Sequence, residues 1–439
     1  MADRIQPRTL KGFRDFLPEA ELQREAVFET ARTVFRSYGF VPIDTPALEY
    51  TEILMGKGSD ETDKQLYRFT DNGGRDVAMR FDLTVPLARY AAQHIGELGT
   101  PFKRYHIGSV WRGENTQRGR YREFMQCDFD TIGTESVVSD IETALVIHDL
   151  LTALGIERFT VRINNRRLLN GLLEARGLTD QATGVLRSLD KLDKVGPDAV
   201  RSDLVATVGI PESDANALVD LAALSGGSDI LDQVDVGDSE LGARGIDELR
   251  QFMAGVEAAG VEPGRIVLDM GIARGLDYYT GTVYETVLDD LPDIGSVCSG
   301  GRYDDLASLY TNQRLPGVGA SLGVDRLLAA LEELSPESSA RTSAPVLMTL
   351  FDDSRRSEHL AVVAGLRRAG VGVELYPEAR KLGAQLKYGD RRGHTLAVII
   401  GDTEWDDETA QIKVLATGDS HVVDQDELAD ACRRLLGDA

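Results

Sequence analysis

Apolar residues near the N-terminus recur at helical spacing. The pattern in residues 21–38 predicts an amphipathic helix that ends at Gly39. The apolar stripe consists of Val27, Phe28, Ala31, Val34 and Phe35. The following segment, 40–50, is predicted to be extended, and its prolines restrict it to a sheet edge or a bulge. Helix and segment together carry more apolar surface than the edge of a monomer should show, which predicts a homodimer.

The clearest predicted element is a β-hairpin between residues 103 and 131. Two strand-like arms, KRYHIGSVWR and REFMQCDFDTIG, flank the polar loop GENTQRGRY. Alternate residues of a strand share a face. The second arm therefore directs Phe124, Gln126, Asp128 and Asp130 to one side. This face is unusually polar for the middle of a long chain.

Further elements follow from the same patterns. Helices are predicted at 139–155, 167–176 and 245–260, with a small helical insertion at about 170–245. Segment 75–94 is predicted to be a strand, a turn and a short helix. Two strands flank RGLDYYTG (274–281). Segment 295–310 is predicted to be a strand, a double-glycine turn and a helix, and segment 316–334 a strand that leads into a helix.

Residues 335–345, SPESSARTSAP, have the composition of a linker. Beyond them, the strand patterns VLMTLF, VGVELY, LAVIIG and QIKVLA are accompanied by helical patterns at 356–369 and 380–393. This alternation predicts a small α/β domain over 346–439. We therefore expect a larger domain at 1–334, a linker and a smaller C-terminal domain.

The formal net charge of −24 modifies the functional expectation. Phosphate contacts supply most non-specific affinity for nucleic acid, so an acidic protein should bind nucleic acid poorly unless its charges are segregated. Much of the excess acid lies in two segments, 176–247 and 401–408. We interpret these segments as a solvated acidic face rather than as a binding surface for a partner.

The cysteine pattern argues against a metal or disulfide framework. The three cysteines, Cys127, Cys298 and Cys432, are far apart and no CxxC pair exists. Zinc binding and disulfides are therefore not expected, and a reducing cytoplasm fits best. No apolar run approaches the length of a membrane span, and the N-terminal residues do not resemble a secretory signal.

Several polar residues on the predicted strands could form a binding site. No phosphate-binding loop of the GxxxxGK[ST] type is present, and GVGASLG at 317–323 is only a weak match to a dinucleotide fingerprint. The candidate set comprises Asp82, Arg112, Glu114, Gln126, Asp130, Arg274 and Arg326. Arginine matches phosphate and carboxylate, whereas carboxylates bind an ammonium group or Mg²⁺. Two interpretations remain open: a site for a substrate with amino and phosphate groups, or a solvated sheet face.

Several strings, taken in order, resemble the histidyl-tRNA synthetase family of class II aminoacyl-tRNA synthetases. RGLDYYTGTVYE and SGGRYDDL resemble the two family signatures. VWRGENTQRGRYREFMQCDFD resembles class II motif 2, PGVGASLGVDRL motif 3, and the helix and strand at 21–50 motif 1. LKGFRDFLP resembles the N-terminal entry of the family, and QLKYGDRRG with AVIIGDTE resembles its anticodon-binding domain. The resemblance covers essentially the whole chain.

The resemblance implies a fold class and an ATP site. The fold would be α+β: an antiparallel sheet with flanking helices, a small helical insertion, a C-terminal α/β anticodon-binding domain, and a dimer formed through motif 1. Arg112 would bind the α-phosphate of ATP and the substrate carboxylate. Arg274 would face the α-phosphate, and Arg326 would hold the γ-phosphate end. Glu114 and Phe124 would seat the adenosine.

The resemblance also implies the other substrates. Asp82 and Thr84 would bind the ammonium group of L-histidine. Gln126, Asp130, Tyr278 and Tyr279 would lie close to the histidine. The candidates for contact with tRNA(His) are Gln117, Arg118 and Arg120 in the motif 2 loop. Basic character is also retained at Arg122 in this loop and at Lys381, Lys387, Arg391 and Arg392 near the C-terminus. The implied activity is ATP-dependent formation of histidyl-adenylate, with Mg²⁺ on the triphosphate, followed by transfer to tRNA in the cytoplasm.

Two features depart from the family pattern, and two alternatives remain. Tyr284 replaces the usual phenylalanine of the first signature, and the acidic charge is unusual for a protein that binds tRNA. The first alternative is the non-catalytic regulatory subunit of an ATP phosphoribosyltransferase. Arg112, Arg274 and Arg326, with the C-terminal domain, argue against it. The second is a synthetase-like sensor of uncharged tRNA, which is normally fused to a kinase; no kinase signature is present.

Overall fold

The computed structural model describes residues 4–55, 65–116, 119–273, 278–334 and 341–437. The chain divides into two compact units, one of residues 1–14 and 27–334 and the other of residues 15–26 and 335–439. The sequence patterns do not anticipate the grouping of 15–26 with the C-terminal residues. We retain the core at 1–334, the linker at 335–345 and the C-terminal domain at 346–439 as a proposal.

The strands of the first unit form two sheets. They are β1 (Val41–Pro42), β2 (Leu48–Tyr50), β3 (Arg68–Thr70), β4 (Asp76–Met79), β5 (Phe102–Trp111), β6 (Glu123–Ile132), β7 (Phe159–Asn165), β8 (Ser225–Gly226), β9 (Ile266–Asp269), β10 (Thr282–Leu288), β11 (Cys298–Tyr303) and β12 (Gly317–Gly323). In the described residues, nine strands are ordered β1-β5-β6-β12-β11-β10-β7-β9-β8, and a smaller sheet is ordered β2-β4-β3. Most pairs are antiparallel, so the predicted α+β class is confirmed.

Helices accompany these sheets. They are α1 (Pro18–Ser37), α2 (Thr51–Met55), α3 (Thr84–Leu98), α4 (Val137–Ala153), α5 (Arg166–Ala175), α6 (Ala182–Leu189), α7 (Leu192–Val195), α8 (Pro197–Asp203), α9 (Glu212–Ala222), α10 (Glu240–Ala258) and α11 (Val324–Leu334). The predicted apolar stripe of α1 is buried in the main core, together with the faces of α4 and α10. Helices α6 to α9 surround a separate apolar cluster, which gives the predicted insertion a core of its own.

The hairpin and the edge position of residues 40–50 are confirmed. Strands β5 and β6 pair in antiparallel register, and β1 lies at the edge of the large sheet. The two strands that flank RGLDYYTG are present as β9 and β10, but they do not pair with each other. Strand β7 lies between them, parallel to β9 and antiparallel to β10.

The predicted double-glycine turn is wrong. Gly300 and Gly301 lie in the middle of β11, and only a short 3₁₀ turn at 306–309 follows this strand. The glycines are needed for space rather than for a turn. A Cβ at Gly300 would lie 2.1 Å from the Gly319 carbonyl oxygen, and a Cβ at Gly301 would lie 2.8 Å from the ring of Tyr279.

The C-terminal residues form a five-stranded sheet with helices. Its elements are β13 (Val346–Met348), α12 (Arg356–Arg368), β14 (Val373–Leu375), α13 (Leu382–Arg392), β15 (Leu396–Ile399), α14 (Asp402–Asp406), β16 (Thr409–Val414), β17 (Ser420–Asp424) and α15 (Leu428–Leu436). The strand order is β14-β13-β15-β16-β17. The predicted α/β pattern is therefore present, whereas α14, β17 and α15 were not predicted. Among the described helices, none is both long and apolar enough to cross a membrane.

A close approach of two helices generates a stability prediction. A Cβ built at Gly171 in α5 would lie 2.3 Å from the Cα of Gly242 in α10, whereas a Cβ at Gly96 in α3 would meet nothing within 4 Å. We expect Gly171→Ala to lower the free energy of unfolding by about 1–3 kcal/mol, because the backbones must separate. Gly96→Ala should be neutral, or stabilising by roughly 0.5–1 kcal/mol. Urea denaturation of both variants measures the difference, and equal effects would show that this contact is not tight.

Candidate active site

One cavity of about 500 Å³ lies on a face of the large sheet. Every predicted site residue that the structure describes lines this cavity. These residues are Asp82, Thr84, Arg112, Glu114, Arg120, Phe124, Gln126, Asp130, Tyr278, Tyr279 and Arg326. Arg274, Gln117 and Arg118 lie outside the described residues. The candidate residues thus converge although the chain separates them by up to 244 positions, from 82 to 326.

Asp130 on β6 is the most constrained acid of the cavity. Its side chain is buried, and Oδ1 accepts a hydrogen bond from the Tyr303 hydroxyl at 2.5 Å. Its Oδ2 lies 2.7 Å from Nη2 of the fully buried Arg104. Burial raises the pKa of Asp130, whereas Arg104 and the Tyr303 hydroxyl act in the opposite direction. The space for this carboxylate comes from Gly319, where a Cβ would lie 2.3 Å from Oδ1.

Asp82 supplies a second buried carboxylate, before the start of α3. Its Oδ1 accepts the backbone N–H of Val85 at 3.1 Å, and its Oδ2 has no hydrogen-bond partner in the described part of the chain. Burial raises the pKa of Asp82 to about 6, although the Val85 N–H and Arg112 favour the charged form. An ammonium group placed at Oδ2 would satisfy this oxygen and offset the cost of burial.

Three tyrosine rings enclose the space near these acids. The centroids of Tyr278 and Tyr279 are 5.1 Å apart at an interplanar angle of 76°, and those of Tyr278 and Tyr303 are 6.0 Å apart at 82°. Such edge-to-face contacts fix ring orientation. On the neighbouring strands, the Gln126 amide donates to the Ser321 hydroxyl at 2.9 Å. This end of the cavity therefore offers carboxylates, phenols and an amide in a fixed arrangement suited to a small polar cation.

Arginines and an aromatic ring form the other end. The Arg112 guanidinium lies 5.1 Å from the Phe124 ring centroid, and its Nε donates to the Phe81 carbonyl at 2.9 Å. Glu114 lies between two arginines, with contacts of 3.8 Å to Arg112 and 3.6 Å to Arg120. A flat ring beside guanidinium groups is suited to a purine base and its phosphates.

Arg326 occupies the N-terminal end of α11, where it donates to the Ser296 carbonyl. The adjacent Asp325 pairs with Arg14 of the N-terminal segment, and the Arg14 guanidinium lies 3.3 Å from the ring centroid of Tyr121. Gly119 of the motif 2 loop lies against the Arg326 backbone. The loop, α11 and the N-terminal segment thus meet at this end of the cavity.

Two residues in contact with Asp130, Arg104 and Tyr303, were not predicted. Arg104 is the cross-strand partner of Asp130 in the hairpin register, so a register assignment across the GENTQRGRY loop would have found it. Tyr303 lies on β11, and two β-strand interfaces separate it from β6 in the sheet order. No pattern in the sequence indicates that Tyr303 reaches Asp130. In the described residues, no group of three or more His, Cys, Asp or Glu side chains could hold a metal ion.

The departure at Tyr284 has a structural explanation. Its hydroxyl is buried and donates to the Asp140 carbonyl at 2.9 Å, on the side of the sheet that packs against α4. The hydroxyl therefore adds a hydrogen bond between β10 and α4 that a phenylalanine could not make. This hydrogen bond satisfies the buried phenol.

Comparisons with known proteins agree with the motifs. The family model for histidyl-tRNA synthetase matches residues 12–327, and the model for the anticodon binding domain matches residues 346–435. A histidine–tRNA ligase of Rhodopirellula baltica is 58% identical over 422 residues, which are 95% of this chain and 96% of the relative. A histidine–tRNA ligase of Wolinella succinogenes is 48% identical, over 94% and 95% of the two chains.

Solved structures show the same architecture. A crystal structure of histidyl-tRNA synthetase from Nostoc sp. PCC 7120 superposes with a TM-score of 0.90 at 34% identity, over 98% of this chain and 100% of the other. A structure from Bacillus halodurans, described as an ATP phosphoribosyltransferase regulatory subunit/histidyl-tRNA synthetase, shares the fold at 24% identity and a TM-score of 0.75, over 88% and 97% of the chains. The family models, the identity to curated relatives and the order of the motifs together show that this chain belongs to the histidyl-tRNA synthetase family.

Proposed function

We propose that the protein is a histidine–tRNA ligase that activates L-histidine with ATP and transfers it to the terminal adenosine of tRNA(His). The observation that carries this proposal is the convergence of all the described candidate residues on one cavity, with carboxylates and phenols at one end and arginines with an aromatic ring at the other. Such a cavity matches a substrate pair in which one member is cationic and the other is a purine triphosphate.

The first step joins the two substrates. A carboxylate oxygen of histidine attacks the α-phosphorus of ATP, the bond to the bridging oxygen breaks, and pyrophosphate leaves. Arg112 would neutralise the α-phosphate and the attacking carboxylate, and Arg326 the γ-phosphate end. Arg274 is assigned to the α-phosphate from the sequence alone. Catalysis would come mainly from positioning and from fixed charges that meet the charge growing on the phosphoryl oxygens.

The ends of the cavity would hold the rest of each substrate. Asp82 and Thr84 would bind the ammonium group of histidine, and Asp130, with Gln126 and the tyrosines, would contact its imidazole. Phe124 would stack on the adenine, and Glu114 would contact the adenosine. Mg²⁺ would be bound by the triphosphate oxygens and by at most one or two carboxylates of the protein. The candidates for these carboxylates are Glu114 and Asp325, which both line the cavity. The proposed reaction requires no zinc.

In the second step, a ribose hydroxyl of the terminal adenosine of tRNA attacks the acyl carbon of histidyl-adenylate, and AMP leaves. Arg120 lies on the motif 2 loop, where it could contact the acceptor end. The basic residues proposed to contact the anticodon region are all exposed on or next to α13: Lys381, Lys387, Arg391 and Arg392. Because tRNA charging supplies the ribosome, we place the activity in the cytoplasm.

Histidine-dependent exchange of labelled pyrophosphate into ATP tests the proposal directly. A histidine–tRNA ligase must catalyse this exchange without tRNA, and must charge tRNA(His) when tRNA is present. The regulatory-subunit alternative, which the close relatives do not favour, predicts neither activity. Absence of exchange in a folded protein that still binds histidine would reject the ligase proposal.

A reciprocal pair of variants tests the assignment of the two ends. We expect Asp130→Ala to raise the KM for histidine about 10- to 100-fold, because a hydrogen bond to a charged group is lost, and to leave the KM for ATP unchanged. Phe124→Ala should raise the KM for ATP, because base stacking on an aromatic ring contributes about 1–3 kcal/mol, and should leave the KM for histidine unchanged. Both constants are measured by pyrophosphate exchange. Equal effects on both substrates in either variant would make that residue part of the scaffold.

We also propose a symmetric homodimer. Helix α1 does not supply the exposed apolar surface that was predicted for it, because its apolar stripe is buried in the core of its own chain. A group of exposed apolar side chains lies on β1 and on the small sheet, where Val41, Leu48, Tyr50 and Phe69 are 44–51% exposed. Tyr50 and Phe69 both pair with Val77 and therefore share one face. An exposed apolar face of this kind fits a second copy of the chain.

Sedimentation at micromolar concentration should give a species of twice the 47.9 kDa chain mass. The double variant Leu48→Glu/Tyr50→Glu should sediment as a monomer, because it places charges in the proposed interface. Val422→Glu is the matched control: Val422 is 68% exposed on β17, and its variant should remain dimeric. A monomeric wild-type protein, or a double variant that still dimerises, would contradict this interface.

A further inference from the structure

Arg104 is a fully buried cation that does not line the cavity. It is the third residue of β5, with its Nη2 2.7 Å from Asp130 Oδ2 and 3.4 Å from the Leu83 carbonyl oxygen. Within the described ranges, its Nε and Nη1 have no hydrogen-bond acceptor, and its one ion pair is with Asp130. A buried guanidinium with so few partners is costly to stability. This cost indicates a role other than folding.

The surroundings of Asp130 explain why a cation is needed. The groups that face Asp130 are Arg104 on β5, Asp128 on its own strand, Asp82 before α3, and the phenols of Tyr279 and Tyr303. Asp82 and Asp128 are themselves buried carboxyls. In such surroundings, burial and like charge both favour the neutral acid, and Arg104 is the buried cation that opposes them.

The hydrogen-bond directions fit an ionised Asp130. The Tyr303 hydroxyl donates to Oδ1, whereas Oδ2 forms an ion pair with the Arg104 guanidinium and has no hydrogen-bond partner in the described part of the chain. An ionised carboxylate has about four acceptor positions, of which these two contacts occupy only part. The remaining positions can accept a further N–H from the cavity side. A neutral acid would instead present its own proton.

We propose that Arg104 is a positioning residue for amino-acid selection, which holds Asp130 in the ionised state and in the orientation that accepts the imidazole N–H of histidine. This inference rests on the proposed function, since it concerns the same cavity. Arg104 itself touches no substrate. It acts through Asp130, and its contribution should be specific to the histidine end of the cavity.

The test replaces Arg104 by methionine, which is similar in length but uncharged. The dissociation constant for L-histidine is measured by calorimetry, and the KM values for histidine and ATP by pyrophosphate exchange, each as a ratio to the wild type at pH 6.5 and at pH 8.5. Removing the cation raises the pKa of Asp130, so a smaller fraction of the carboxyl is ionised at the lower pH than at the higher pH. We expect weakening of histidine binding by about tenfold or more at pH 6.5, because the imidazole N–H loses a hydrogen bond to a charged group. The ratio of the histidine dissociation constant of the variant to that of the wild type should be at least several-fold smaller at pH 8.5 than at pH 6.5. The KM for ATP should stay within about twofold of wild type at both pH values.

Three further variants separate this role from a structural one. Arg104→Lys keeps the charge and should recover part of the affinity at pH 6.5. Tyr303→Phe removes only the hydroxyl and should give a smaller loss with the same pH dependence. Asp130→Asn cannot ionise and should lose affinity equally at both pH values. If Arg104→Met does not fold, the lysine and phenylalanine variants carry the same test.

Arg80→Met is the matched control. Arg80 is also a buried arginine, but its contacts are the carbonyl oxygens of Ser109 and Thr45 and the carboxylate of Asp44 rather than Asp130. The ratio of the histidine dissociation constant of this variant to that of the wild type should be the same at pH 6.5 and at pH 8.5. The inference is overturned if Arg104→Met binds histidine like wild type at pH 6.5, or if its loss is the same at both pH values and extends to ATP. A wild-type protein that binds histidine but does not catalyse exchange would reject the proposed function, while the calorimetric ratios would still decide the role of Arg104.

Discussion

The cavity depends on three places in the sheet where a side chain is absent. A Cβ at Gly319 would meet the Asp130 carboxylate, one at Gly301 the ring of Tyr279, and one at Gly317 the ring of Tyr303, at 2.3–2.8 Å. Glycine in the interior of a strand weakens a sheet, because it loses more conformational entropy on folding than other residues and has no side chain that could pack. Here the vacated volume is occupied by the acid and the phenols that define the cavity. The glycines on β11 and β12 are therefore part of the site, although they carry no functional group.

The opposite face of the same strands supports this arrangement. Arg302 on β11 is buried and pairs with Asp140 of α4, and it also donates to the carbonyl oxygens of Thr134 and Ser136. Together with the hydrogen bond from Tyr284 to the Asp140 carbonyl, this pair connects β10 and β11 to the start of α4. A buried ion pair contributes little net stability, but breaking it leaves an unpaired buried charge. The pair therefore favours one position of β11, and this position sets that of Gly301 and Tyr303.

The charge of the chain is segregated in a way that reconciles its acidity with a nucleic-acid substrate. The acidic residues of 176–247 lie around the insertion, whose apolar residues form a core of their own. Exposed basic residues occur instead on α13 and at Arg120 of the motif 2 loop. Local basic surfaces can attract phosphate where the summed charge is negative, because screening limits each field to about 10 Å at moderate salt.

Local patterns in the sequence determined most of the elements and, together with the family motifs, eleven of the residues that line the cavity. Alternation along one hairpin arm already placed Phe124, Gln126 and Asp130 on a common face, because side-chain direction in a strand depends only on neighbouring residues. The family motifs supplied the remaining candidates. Tertiary structure alone decided which strands are neighbours: that β7 separates β9 from β10, that Gly300 and Gly301 lie within a strand, and that Tyr303 reaches Asp130. These relations join residues up to 173 positions apart, from 130 to 303, and are set by packing and space that no local periodicity encodes.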